Sequence, residues 1–81
     1  MEFKLYSEVV LAQNIAEYNL KTGDVATLVD LIPHPRGEAG CVLEIFNAIG
    51  ESIAVVAVPV SAIKPLEANE ILTTRSLKQA G

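Results

Sequence analysis

Catalysis and ion binding need groups that move protons, attack carbonyls or hold cations, and in this chain such groups are few and scattered. The histidine, His34, stands between Pro33 and Pro35. An imidazole needs companions to act as base or ligand. Cys41, seven residues on and with no second histidine, makes no recognised metal-binding spacing. His34 therefore reads as a solvated loop residue. Cys41 alternates with Leu43 and Ile45, which predicts a small buried hydrophobe and not a reactive thiol. Asp24 with Asp30, and Glu44 with Glu51, are the carboxylates that strand pairing could bring together. Neither pair has a hydroxyl or basic partner that would divide acid from base roles. There is no glycine-rich phosphate loop and no nucleophile elbow. The expectation is a protein without catalytic residues, cofactor or metal. For single-stranded nucleic acid, Tyr18 with Lys21 is the one close aromatic–basic pairing, which is thin for a stacking platform. The plainer reading has Tyr18 cover one end of the fold while Lys21 stays in water.

Those residues must be positioned by a small object. Eighty-one residues fit one domain, for which 51% hydrophobic content is close to a requirement, since small domains bury a low fraction of their surface. A lone cysteine makes no internal disulfide, so packing must hold the chain, with self-association as the one supplement open to it, as suits a reducing cytoplasm. The start, "MEFKLYSEVV", lacks the pattern of a leader, and the greasiest run, "IAVVAVPV", is too short to span a bilayer as a helix. A cytoplasmic protein that avoids membranes is the expectation. Residues 1–66 carry eight acids against four bases and so own the whole net charge of −4. Such a surface repels phosphate backbones, which makes nucleic acid an unlikely partner.

Apolar residues come in short runs between turn residues, and nothing before residue 67 sustains helical spacing, so the pattern predicts strands. These are "EVVLAQNI" (8–15), "VATLVDLI" (25–32), "CVLEIF" (41–46) and "SIAVVAV" (52–58), with a brief last strand ended by Pro65. Asn19 and Gly23 supply left-handed turn positions, "PHPRGEAG" reads as a loop, and "NAIGE" reads as a hairpin connection. "VSAIKPL" predicts a short helical turn leading into the last strand. The expected fold is an all-β barrel of about five short antiparallel strands over residues 1–66, followed by a polar tail, 67–81. For the tail three states are open: a flexible end, a weak helix capped by Asn69, or an arm that orders on a partner.

Alternation places Cys41, Leu43 and Ile45 inward and Val42, Glu44 and Phe46 outward. The following strand is apolar on both faces, Ile53, Val55 and Ala57 against Ala54, Val56 and Val58. A half-exposed antiparallel strand normally shows polar residues on one side. Either strand bending takes both sides into the core, or the outer face is covered by a protein partner or a second copy. The second reading puts a protein-binding surface on Val42, Glu44, Phe46, Val56 and Val58, with Glu44 setting register.

With "NLKTGDVATLVDLI", "NAIGESIAVVAVP" and "IKPL" in this order, the chain resembles the small bacterial domain of unknown function 4926 family. The matching parts are Glu8 to Leu11, Leu20 to Val29, Asn47 to Pro59 and Ile63 to Leu66, so the resemblance spans about residues 1–66 and leaves the tail outside. Ala26 stands where the family pattern tends to glycine. The resemblance implies an SH3-like barrel, similar to the ribosomal KOW motif in its Gly23–Asp24 turn. It also implies a partner protein encoded nearby, in an antitoxin-like or immunity-like arrangement; with the absence of catalytic motifs and the apolar strand face, the expectation is a non-catalytic protein-binding module, or a homo-oligomer. The alternative is an RNA-associated KOW-like module using Lys4, Lys21 and Lys64, against which the acidic surroundings weigh.

Overall fold

A computed structural model of the chain describes residues 3–77. It holds five strands: β1 (Glu8–Leu11), β2 (Val25–Ile32), β3 (Gly40–Phe46), β4 (Ser52–Pro59) and β5 (Ile63–Pro65). Two single 3-10 turns, Ala16–Tyr18 and Val60–Ala62, are the helical elements among the described residues. All pairings are antiparallel, in the order β4-β3-β2-β1-β5, so the protein is a small all-β fold with the last strand returned beside the first. No helix among the described residues is long and apolar enough to cross a membrane.

Turn chemistry sets the strand ends. Between β1 and β2, Asn19 (φ 57°) and Gly23 (φ 95°) take left-handed backbone, and the Asp24 carboxylate accepts the Lys21 amide at 2.7 Å to close the last turn. β1 is shorter than the sequence suggests. Past Leu11 the chain leaves the ladder: Ala12 N–H donates to the Ala62 carbonyl, and Asn14 Oδ1 accepts from the Thr22 amide. Short polar side chains that offer the backbone such alternatives compete with strand pairing. The β3–β4 hairpin turns on Asn47, whose Oδ1 accepts from the amides of Ile49 (3.1 Å) and Glu51 (2.9 Å), with Gly50 at φ 85°. Pro59 closes β4 and the Val60–Ala62 turn feeds β5, as the sequence predicts.

The core joins Val9 and Leu11 of β1, Leu20 of the following loop, Ala26 and Leu28 of β2, Cys41, Leu43 and Ile45 of β3, and Val56 and Val58 of β4, closed by Ala62 and Ile63. The inward set expected for β3 is the observed one. For β4 the outward assignment of Val56 and Val58 is corrected: they are 6% and 4% exposed, and they lie opposite Leu43 and Cys41. Directly opposed residues of an antiparallel pair share a face, so the register that buries Leu43 and Cys41 buries Val56 and Val58 with them. Val55 and Ala57 take the outside. Composition alone left the two faces of β4 alike, and a shift of one residue in pairing exchanges them.

The described tail is neither helix nor strand. Asn69 caps nothing: Glu67 and Glu70 close a turn in which the Glu70 amide donates to the Glu67 carbonyl and the Glu67 amide to Glu70 Oε1. The segment then returns to the sheet, and Leu77 packs against the core cluster. Residues 78–81 lie outside the described residues.

Candidate functional site

The outer face of β3 and β4 is the first surface to build, because hairpin register fixes every side chain on it. Glu44 stands between Thr27 of β2 and Val55 of β4, and Val42 stands between Asp30 and Ala57. Val42 and Glu44 are half-buried, whereas Val55 is 61% exposed and Phe46 43%. A bulge between Ile45 and Phe46 pairs Phe46 with Ser52 at the hairpin end of the strand. Of the five residues assigned to a binding surface from sequence, the structure brings Val42, Glu44 and Phe46 to one face and sends Val56 and Val58 to the other. Val55 and Ala57 complete the outer set. The free side of β4 pairs with no strand among the described residues, and its eight residues carry no charge.

The residues that raised questions of chemistry are held locally. His34 Nδ1 accepts the Arg36 amide at 3.1 Å, which makes the imidazole a brace for its own loop. Cys41 is fully buried and its Sγ reaches the Val58 carbonyl at 3.5 Å. Burial pushes that thiol up from its ordinary value and the Glu38 charge adds to the effect, so the nucleophilic thiolate is disfavoured. Neither carboxylate pair forms. Asp24 stands just before β2 and Asp30 lies six residues on, towards its far end, while Glu51 is taken by the Asn47 amide at 2.9 Å. No cluster of three or more His, Cys, Asp or Glu side chains arranged to hold a metal occurs among the described residues. A shallow groove of about 280 Å³ runs between Phe3, Lys4, Ser7 and Glu8 on one side and Pro65 and Leu66 on the other, and Ser7 Oγ in it is spent on the Lys4 carbonyl. Tyr18 packs partly buried against the core cluster and Lys21 is exposed.

One charged constellation was not legible in the sequence. Arg75, far along the chain in the tail, donates from Nε to Asp24 Oδ1 at 2.8 Å and from Nη2 to Asp24 Oδ2, with a further Nη2 bond of 2.8 Å to the Asn19 carbonyl. Partial burial alone would push the Asp24 carboxyl up. The Arg75 hydrogen bonds, the Lys21 amide and the charges of both residues outweigh it and hold the group below the ordinary aspartate range. A two-pronged guanidinium–carboxylate contact is the strong, geometrically specific form of an ion pair. At the β5 edge of the sheet, Lys64 meets Glu70 at 3.6 Å.

Fold and surfaces together define a small antiparallel β-protein whose described polar side chains brace turns and whose β3–β4 hairpin presents a partly apolar outer face and an unpaired strand edge. No protein-family model, curated protein or solved structure matches the chain.

Proposed function

We propose that the chain is a non-catalytic protein-binding module built as an SH3-like barrel, and that it docks through the outer face of β3–β4 and the free edge of β4. The observation that carries the reading is β4 itself: an eight-residue edge strand with no charged side chain and no proline before its last residue, Pro59, beside an outer face that shows Val55, Ala57 and Phe46. Soluble proteins usually blunt such edges with charge, proline or a cover, because an open edge offers backbone donors and acceptors to any strand that approaches. Glu44 and Asp30 supply polar marks on the same face that favour one register of docking. The five-strand order with a 3-10 turn before the last strand supports the barrel reading. In its narrower form the partner is a protein encoded nearby, neutralised as an antitoxin or immunity protein neutralises its target. A second copy of the chain is the other candidate partner. We place the protein in the cytoplasm on the strength of its unpaired cysteine.

The test pairs affinity purification from the native host with the molar mass of the free protein, for the unaltered chain and for Phe46→Asp. Phe46 lies outside the core, so the variant keeps its fold and loses the co-purifying protein or the dimer mass. Equal recovery of the same partner by both proteins overturns the assignment of the face. Binding to mixed RNA at low salt that falls steeply as salt is added would instead favour the RNA-associated reading through Lys4, Lys21 and Lys64. Lys64 already answers to Glu70, which counts against it.

A further inference from the structure

The charges carried by β1 to β4 share one sign and one face. These strands hold no lysine, arginine or histidine, and their charged residues are Glu8, Asp30 and Glu44. The register sets Glu8, Thr27, Glu44 and Val55 in one row across the outer face, with Asp30, Val42 and Ala57 in the row beyond. Among the described residues no hydrogen bond or ion pair reaches the carboxylates of Glu8 and Glu44, although Glu44 is half-buried. The row ends at the free edge of β4, and the ladder fixes which backbone groups are open there. Val60 N–H donates to the Ala39 carbonyl, and bonded pairs alternate along an antiparallel ladder. Cys41–Val58 and Leu43–Val56 are therefore bonded pairs, while Val55 and Ala57 turn N–H and C=O outward. Pro59, which has no N–H, falls in the same outward phase. Among the described residues no loop or tail backbone group bonds to Val55 or Ala57.

We propose that the free edge of β4 takes up an extended basic segment of a partner protein, whose lysine or arginine lies across Val55 to meet Glu44. The proposal rests on the docking reading above and names the chemistry of the partner. A strand added to this edge pairs its own N–H and C=O with those of Val55 and Ala57, and the residues so paired point their side chains over the outer face. The one opposite Val55 stands two interstrand steps from Glu44, roughly 10 Å between Cα atoms. The four-carbon stem of a lysine and the glutamate side chain span that gap together, with the stem laid along the exposed valine. A cation there meets a carboxylate that no described group already holds. Alternate residues of the incoming strand face the other way, beside Val56, where apolar side chains continue the inner side of the sheet. A second copy brings an uncharged β4 and the same acids, so it offers this row no cation. An acidic or neutral strand finds the same backbone but leaves Glu44 unpaired, so charge decides among partners.

The probes are two synthetic peptides, Thr-Val-Lys-Val-Lys-Val-Thr and its counterpart with glutamate for lysine. Each is titrated into the full chain while the amide resonances of Val55, Ala57 and, as a reference for the core, Leu43 are followed. Expected are shifts and exchange protection at Val55 and Ala57 with a still Leu43. The lysine peptide should bind at least about tenfold tighter than the glutamate peptide at low salt, and added salt should shrink that lead. Methylating the backbone nitrogens of its lysines should abolish binding, because those N–H groups face the edge. Glu44→Gln should weaken the lysine peptide by roughly two- to fivefold. Equal affinity for the two peptides keeps the docking edge but overturns the basic partner. Binding that leaves Val55 and Ala57 unmoved, or no binding of either peptide at millimolar concentration, overturns the proposal, whereas the docking reading still stands or falls on the Phe46→Asp purification. A free chain of dimer mass with Val55 and Ala57 already protected gives the edge to a second copy and overturns it too. Should Glu44→Gln lose its fold, visible as a collapsed Leu43 signal, the salt series on the unaltered chain decides: a lead of the lysine peptide that salt does not shrink overturns the ion pair.

Discussion

Alanine at Val55 and at Val56, adjacent residues of β4, separates the two faces of the sheet by their cost. Each substitution deletes the same two methyl groups. At Val56, 6% exposed and opposite Leu43, both leave a packed interior. Their transfer term is about 1.6 kcal/mol, and the hole left between β3 and β4 brings the total to about 2–3 kcal/mol. At Val55, 61% exposed, about two-fifths of the transfer term is at stake and no cavity forms. With the lower strand preference of alanine, the total there is about 0.5–1 kcal/mol. A chain of this length has a stability of about 4–12 kcal/mol. Val56→Ala should therefore lower Tm by roughly 10–20 °C, and Val55→Ala by roughly 2–6 °C. Thermal melts at equal protein concentration measure these shifts and urea melts the free energies, with a denaturant slope that should stay that of the parent so that the midpoints report stability alone. Val58→Ala should behave like Val56→Ala. Equal costs at 55 and 56, or the larger cost at 55, would refute the register and with it the placement of the outer face.

Asn47→Ala removes the acceptor shared by the Ile49 and Glu51 amides and should cost about 1 kcal/mol, read from urea melts, with hydrogen exchange quickening at the β3–β4 turn before anywhere else in the sheet. Stability should also fall in acid through Asp24. Its folded-state pKa is depressed, so the stability it contributes is complete above its unfolded value and is lost as pH drops through the folded one, below about pH 4. Comparing pH titrations of stability for the parent and Arg75→Gln checks this: the variant should show a shallower acid limb, and parallel limbs would mean that Arg75 does not set the Asp24 pKa. Lys21, the other cation facing Asp24, remains in both proteins and supplies the residual slope.

Much of the fold is legible in the sequence because its signals are local. Gly23, Asn19, Gly50 and the prolines mark where the chain must turn, and runs of branched residues between them form strands at the expected places. The end of β1 was harder to read, since no glycine or proline stops the strand between Leu11 and Ile15, while Asn14 and the Ala62 carbonyl draw the backbone elsewhere. Tyr6, at φ 66°, gives no sequence sign of its left-handed backbone, which lets its amide reach the Leu28 carbonyl at 2.5 Å. The candidate face was half legible. Glu44 marked the wet side of β3, so Val42 and Phe46 were placed with it, but β4 carries no polar residue to mark either side.

The sequence by itself determined that this is a small all-β chain with its turns in fixed places and its chemistry-bearing residues dispersed, because turn preference and alternation act over a few residues. Tertiary structure alone decided which face of β4 meets the core and where the tail goes. Facing depends on the register between β3 and β4, and the Arg75–Asp24 contact joins residues that no local pattern connects.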